Sequence, residues 1–427
     1  MRRYLFVLIL LVFARTAQTE EPKTAPAGWK LKFGADERFR SEFKQDFDFD
    51  QSKRDNGTLF FHRLGLSAKA AWLNDSGDDV MNIFVDGLDA QTGSYQTKAT
   101  ATQVDDFDLH QGFVSFNNVG GLPVDVKLGR QELKYGKDRL IAQPSWSNRV
   151  RAFDAAVFHY DADDLYADLL YGQDVKYDDN NFNRSLDEEY ITGVNAGYQK
   201  EKSAPLLEGY FLTQVITTTD TPTKRYTVGG HWQGILFEKY VCDLELPYQF
   251  GEMGTKDIRA FAAHVDVSRA FDSARLKPKV TLEYNYASGD KDPNDSVVNT
   301  FNPLYQSTHG PYGVIDFFRW QNMREVAAFV QLSPQEKFKL NPQIHFFWLD
   351  SKFDSWVNSS GTTLRSSTIG DREYFVGTEA ALVSSYDLSK NIKFETGYAR
   401  FFTGPYVRDT GADDDVDWFY SQVNLKY

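Results

Sequence analysis

Trp29-Lys30-Leu31-Lys32-Phe33-Gly34-Ala35-Asp36-Glu37-Arg38-Phe39-Arg40 alternates in steps of two. Trp29, Leu31, Phe33, Ala35 and Phe39 fall on one face, and Lys30, Lys32, Asp36, Arg38 and Arg40 fall on the other. That is the period of an extended strand with one greasy and one wet side. The dyad returns along the chain. Tyr240, Cys242, Leu244, Leu246 and Tyr248 oppose Asp243, Glu245 and Gln249, and Val280, Leu282, Tyr284 and Tyr286 oppose Lys279, Thr281, Glu283 and Asn285. A soluble sandwich alternates too, so the rhythm alone leaves a sandwich and a transmembrane barrel open.

Connection lengths separate the two. Short links near 74–79, 118–123, 161–164, 200–205, 237–239, 272–278, 333–337 and 384–391 interleave with mostly longer, polar ones at 44–57, 87–106, 134–153, 174–189, 287–321, 350–372 and 403–415. Links at 217–224 and 251–257 are of middling length. Short turns alternating with long loops mark an outer-membrane barrel, turns on the periplasmic side and loops outside. The expected fold is therefore all-β, a transmembrane antiparallel up-and-down barrel of about eighteen strands. An even count returns the C-terminus to the side where the N-terminus began. Phe419, Val423, Leu425 and Tyr427 share one face, opposite Gln422, Asn424 and Lys426. A last strand ending on an aromatic resembles the signal read by outer-membrane assembly machinery, so that machinery and the lipid bilayer are the expected partners.

Arg2 and Arg3 followed by an apolar run from Tyr4 to Phe13 read as a secretory signal peptide, too short to span a bilayer. Val12 and Ala14 fit cleavage after Ala14; a cut after Ala17 puts Arg15 at a poor position. The expected organisation is a signal peptide at 1–17, a short linker at 18–28 and the barrel at 29–427. No later stretch reaches the roughly twenty apolar residues of a membrane helix. With Cys242 as the single cysteine, internal disulfides are excluded, and rigidity has to come from closure of backbone hydrogen bonds. The chain holds 34 Phe, 23 Tyr and 8 Trp yet is hydrophilic on average, as expected of a barrel with a lipid-facing band around water. Its net charge of -13 arises largely in Asp-rich links such as 46–50 and 413–417, which read as solvated surface and exclude nucleic-acid binding.

In such a barrel function resides in the lumen and the loops that enter it. Parity places Lys30, Lys32, Arg38, Arg40, Arg63, Lys69, Lys127, Arg225, Lys279 and Lys393 inside, together with Asp36, Asp86, Asp125, Asp168, Asp243, Glu245, Glu283, Glu325, Glu379 and Glu395. Early strands lean basic and later ones acidic. Arg38, Arg40 and Arg63 are expected to form a cationic wall facing the acids Asp243, Glu245 and Glu283, a transverse field that draws carboxylates into a narrow pore. The competing reading is that these charges pair with each other. The expected function is an outer-membrane channel for an anionic solute, with no enzymatic activity and no cofactor, since passage down a gradient needs only a lined pore. A non-conducting adhesin or scaffold barrel and a general sugar or carboxylate uptake porin remain as alternatives.

One segment stands out: Gly129-Arg130-Gln131-Glu132-Leu133, followed by Tyr135-Gly136, Arg139, Arg149, Arg151 and Phe153-Asp154. Val124, Val126 and Leu128 have one parity, Leu133 and Tyr135 the other. A one-residue bulge near Gly129 would restore the lipid face and turn Arg130 inward. The stretch resembles the alginate-export family of outer-membrane barrels, as does a second one with Gly313, Asp316, Gln321, Asn322 and Arg324. The resemblance runs from about Trp29 to Tyr427, specific only in these two stretches. It implies an eighteen-stranded barrel with an arginine-lined constriction that passes a polyuronate outward. Arg130, Arg139, Arg151 and Arg324 are the matching candidates, and Arg149 joins them from the same basic loop. The many lumen acids depart from a strictly polyanion-selective pore.

Other signals are weaker. Asp290, Asp292 and Asn294 have the spacing of a calcium loop, but Asp295 stands where the sharp-turn Gly belongs and Phe301 where the closing Glu belongs. His62 falls on the apolar face without a neighbouring serine or third group to make a hydrolase, so placement near the aromatic girdle explains it. His110, His159, His231, His264, His309 and His345 show no metal-ligand spacing.

Overall fold

The computed structural model describes residues 27–427 apart from 54–55, 96–102, 144, 179–180, 202, 218–219 and 367–372. The expected signal peptide at 1–17 and nearly all of the linker at 18–28 lie outside the described residues.

Eighteen antiparallel strands close on themselves. The first half comprises β1 (Gly28–Gln45), β2 (Gly57–Leu73), β3 (Asp79–Tyr95), β4 (Asp105–Phe116), β5 (Val124–Gln131), β6 (Phe153–Ala162), β7 (Leu165–Lys176), β8 (Arg184–Tyr198) and β9 (Leu206–Ile216). The second comprises β10 (Thr223–Leu236), β11 (Tyr240–Met253), β12 (Lys256–Ala270), β13 (Lys279–Ala287), β15 (Met323–Gln335), β16 (Phe338–Trp348), β19 (Phe375–Ser389), β20 (Ile392–Thr403) and β21 (Val416–Lys426). Three short strands, β14 (Val297–Val298), β17 (Trp356–Val357) and β18 (Thr363–Arg365), lie in loops, with one short helix, α1 (Pro405–Thr410). Each barrel strand pairs with the next, and β1 closes on β21 from Asp36 opposite Lys426 to Gln45 opposite Asp417. A closed ladder leaves no unpaired edge in lipid, which is why strands can cross a bilayer at all. Trp29, Leu31, Phe33, Leu246 and Leu282 are exposed on the outer wall, as the alternation requires.

Two sequence expectations about the links and strands are corrected. The link at 251–257 tightens to residues 254–255, with Gly254 at φ 59. No bulge forms in β5, whose register is unbroken through Gly129 and Arg130 against β4 and through Gln131 against β6. The shift occurs instead in β4, where Gln111 pairs with Asp86 and Leu109 with Gly87, leaving His110 unpaired between them. Gly129 is required where it stands: its φ is 122, and a Cβ would lie 2.4 Å from the Gly112 carbonyl oxygen.

The long-loop end of the lumen is apolar, which the alternation did not foretell. The described parts of the loops at 132–152, 288–322 and 349–374 turn inward with α1 and bury Ile141, Phe301, Phe317, Phe318, Trp320, Trp356, Tyr406 and Val407 against Phe153, Phe347 and Phe401 of the wall. Loops 132–152 and 288–322 join through their backbones: the Ala142 N–H donates to the Tyr305 carbonyl at 3.0 Å, and the Tyr305 N–H donates to the Leu140 carbonyl at 2.8 Å. Glu379 of β19 holds the second loop by accepting the N–H groups of Val314 (2.6 Å) and Ile315 (3.3 Å). Gly313, at φ 80, brings the loop that close, since a Cβ there would lie 2.6 Å from the carboxylate. Glu379→Ala strands two buried donors at about 1–3 kcal/mol each. The expected result is faster tryptic cleavage at Arg319 and a lower unfolding midpoint in detergent; unchanged values of both would show that Glu379 does not hold the loop.

Candidate pore lining and constriction

Strands β1 and β2 turn Arg38, Arg40 and Arg63 inward, with Arg38 opposite Arg63 in the ladder. The row does not face open water as a bare cationic wall. Arg38 donates to the Ser145 carbonyl (2.8 Å), the Ser147 carbonyl (3.1 Å) and Asn148 Oδ1 (3.2 Å). Arg63 donates to the same two carbonyls at 3.0 and 3.1 Å, and Arg40 to the Trp146 carbonyl at 2.7 Å. The Arg40 guanidinium also lies 3.9 Å from the Trp146 ring, which stacks on His309 at 3.8 Å. The three arginines thus grip loop 132–152 by its backbone, the usual recourse of buried charges that need hydrogen-bond partners.

The opposing acids are engaged as well. Arg139 reaches across from loop 132–152 to form ion pairs with Asp243, and with Glu245 at 3.1 Å. Burial opposes the Arg139 charge, but Glu245 and Asp243 outweigh it, and the pKa is raised. His231 bridges Asp243 (2.9 Å) to Glu208 (2.5 Å). Glu283 accepts from Asn285 at 2.6 Å, and Asn285 in turn donates to Glu325 at 2.7 Å. The acids expected to face an arginine wall across an open pore are consumed in holding a loop and each other.

Two further expected residues lie elsewhere. Arg130 forms a bidentate pair with Asp154 (2.8 and 3.0 Å), its partner in the ladder, which has the parity opposite to the lumen-core residues Phe153 and Ala155. Arg324 stands opposite Tyr286 between the buried Met323 and Glu325, with a half-exposed side chain 2.6 Å from Asp350. It belongs to the outer rim. Arg149 lies 4.6 Å from the Tyr177 ring. The weak calcium candidates are spent on their own loop, where Asp290 accepts from the Asp292 N–H and Asp292 from the Asn294 N–H. His62 does pack on Phe39 at 4.8 Å, and it pairs with Glu37 at 2.8 Å.

Arg151 remains in the lumen, and the structure gives it companions. It sits 3.6 Å from Asp174 and 5.3 Å from the Tyr305 ring. Arg225 of β10 donates to Gln214 at 2.7 Å and is almost wholly buried. Arg319, from loop 288–322, feels the positive charge of both. Burial first, then Arg151 and Arg225, push its pKa down to about 10. Among the described residues Arg319 has no acidic partner, and Arg151 Nη1, Arg225 Nε and Arg319 Nε are buried without a hydrogen bond. Sequence reading put Arg225 inside but left Arg319 in a solvated loop. The signal missed was Phe317-Phe318-Arg319-Trp320, too apolar for a loop in water.

A family model described as alginate export matches residues 29–420. The chain belongs to the alginate-export family. A search of curated proteins found no match. Among solved structures this alginate-export barrel is similar to three Pseudomonas aeruginosa proteins. OpdO has 11% identity and a TM-score of 0.62, covering 93% of this chain and 97% of its own. OpdQ has 10% identity and a TM-score of 0.60, covering 93% and 98%. OpdK, solved with vanillate, has 9% identity and a TM-score of 0.60, covering 92% and 98%. At these identities the likeness is one of fold. The alginate-export barrel is thus an outer-membrane channel embedded in the lipid bilayer, of a porin-like family that is typically non-enzymatic.

Proposed function

We propose that this channel passes an anionic solute, a uronate-containing polysaccharide or its oligomers, and that Arg151, Arg225 and Arg319 form its constriction. The observation that carries the reading is the crowding of three guanidinium groups, each with a buried nitrogen left without a hydrogen bond. Like charges held together in a low-dielectric setting are unfavourable unless an anion visits them, and such a site focuses its field along the path of a carboxylate. The match to a family described as alginate export supports the choice of a uronate. OpdK, solved with vanillate, supports carboxylates as a class for barrels of this shape. In this reading Arg38, Arg40, Arg63 and Arg139 set the loop that narrows the pore, and Arg149 lies near its mouth. In the same reading β21 is the strand that the outer-membrane assembly machinery recognises.

The test is reconstitution of the purified protein in liposomes and planar bilayers. The expected result is an anion-selective conductance, with oligouronates entering liposomes several-fold faster than neutral oligosaccharides of equal length. Equal rates for the two would replace this reading with a general porin, and no permeation of either would leave a closed scaffold.

A further inference from the structure

Below the inserted loops, towards the short-turn end, the lumen widens into a cavity of about 350 Å³. Its wall is a continuous inward band: Lys279 pairs with Gln331, Phe329 with Gln343, and Asn341 with Val383. His309 and Val314 of loop 288–322 form its roof. The composition differs sharply from that of the arginine cluster. Among the described residues, the side chains of Lys279, Gln331 and Asn341 have no hydrogen-bond or ion-pair partner, and Gln343 has only a long contact of 3.4 Å with His345. Side-chain amides both donate and accept, which matches the paired lone pairs and protons of vicinal hydroxyls. Phe329 and Val383 offer an apolar surface for the face of a ring, and the volume lies at the low end of small-ligand sites.

We propose that this vestibule is a recognition subsite for one pyranose ring, with Gln331, Asn341 and Gln343 reading hydroxyls and Lys279 favouring a ring that carries a carboxylate. The inference deepens the channel reading and rests on it: a sugar chain presented from the short-turn side meets a hydroxyl-reading site before it meets the arginines. Glu395 is already engaged, since Tyr420 and Gln422 both donate to one of its oxygens at 3.0 Å and Lys393 donates to the other at 3.1 Å.

The experiment uses intrinsic tryptophan fluorescence of the full chain in detergent micelles. Trp146 stacks on the roof residue His309, and the Trp418 ring lies 4.7 Å from that of Tyr420, which lines the cavity. Titration with sodium glucuronate is expected to saturate, glucose to bind more weakly, and acetate to give no saturable change. Gln331→Ala with Asn341→Ala is expected to raise half-saturation about tenfold, a loss of about 1.4 kcal/mol. Lys279→Gln is expected to remove the preference for glucuronate over glucose. Wild-type near-ultraviolet circular dichroism certifies that each variant has folded. Identical titrations of wild type and variants, or acetate binding as well as glucuronate, would overturn the subsite. Bilayer recording distinguishes the two readings: a protein that conducts but does not saturate with glucuronate loses the subsite alone, and one that saturates but does not conduct loses the channel alone.

Discussion

Replacing Arg151, Arg225 and Arg319 together by Gln is expected to abolish the anion preference of the pore, moving the reversal potential in a salt gradient towards that of an unselective channel. An anion about 10 Å from one guanidinium, at an effective dielectric of about 20, is held by about 1.7 kcal/mol. Mobile salt weakens this where water reaches, since the Debye length is about 8 Å at physiological ionic strength. Each charge is therefore expected to be worth about threefold in relative anion permeability, and all three together at least about tenfold, since about 1.4 kcal/mol is a factor of ten. Arg319→Gln alone is the cleanest single change. Arg151 has Asp174 at 3.6 Å and Arg225 has Gln214, so truncating either also strands a neighbour, whereas Arg319 has no acid partner among the described residues. Lysine at 319 keeps the charge and is expected to keep the selectivity. An unchanged reversal potential in the triple variant, with conductance retained, would place the selectivity elsewhere.

The barrel was legible because lipid and water impose opposite demands on alternate residues, and neither tolerates an error over many strands. Leu282 outside and Glu283 inside are set by that contrast and by little else. Strand ends were harder to read, since past the bilayer both faces are wet: β3 continues to Tyr95, far beyond the expected boundary at Gly87. Arg130 was misplaced for a related reason. Parity carries a side chain correctly only while the ladder is regular, so the inferred bulge at Gly129 sent Arg130 inward, while the actual irregularity lay across the pair at His110. Loop insertion has no period at all. Its trace is compositional, in Trp146 and in Phe317-Phe318-Arg319-Trp320, where aromatics sit in stretches otherwise rich in turn residues. Once those loops enter, the inward charges acquire partners that parity could not supply, and a wall expected to attract solute becomes a grip on the loop.

That grip is expected to set the size of the opening. Arg38, Arg40 and Arg63 make six hydrogen bonds to residues 145–148. Bonds from a charged donor contribute about 1.5–3 kcal/mol each, and the carbonyls they leave behind are satisfied again only if that end of the loop moves into water. Arg38→Met, Arg40→Met and Arg63→Met in one protein therefore favour a loop that has swung out, taking the Trp146 ring off His309. The expected outcome is a several-fold rise in single-channel conductance with new flicker, and tryptic cleavage at Arg149, beside the released end. Arg139 is a second, separate anchor, clasped by Asp243 and Glu245 on β11, and it keeps the near end of the loop in place. Adding Arg139→Gln should release the whole segment and raise the conductance further than the sum of the two changes, because each anchor alone still holds the loop against its partner loop at Ala142 and Tyr305. If the fourfold variant folds, conducts as the wild type does and resists trypsin, the loop is held by its apolar core alone and the arginine row has no part in gating.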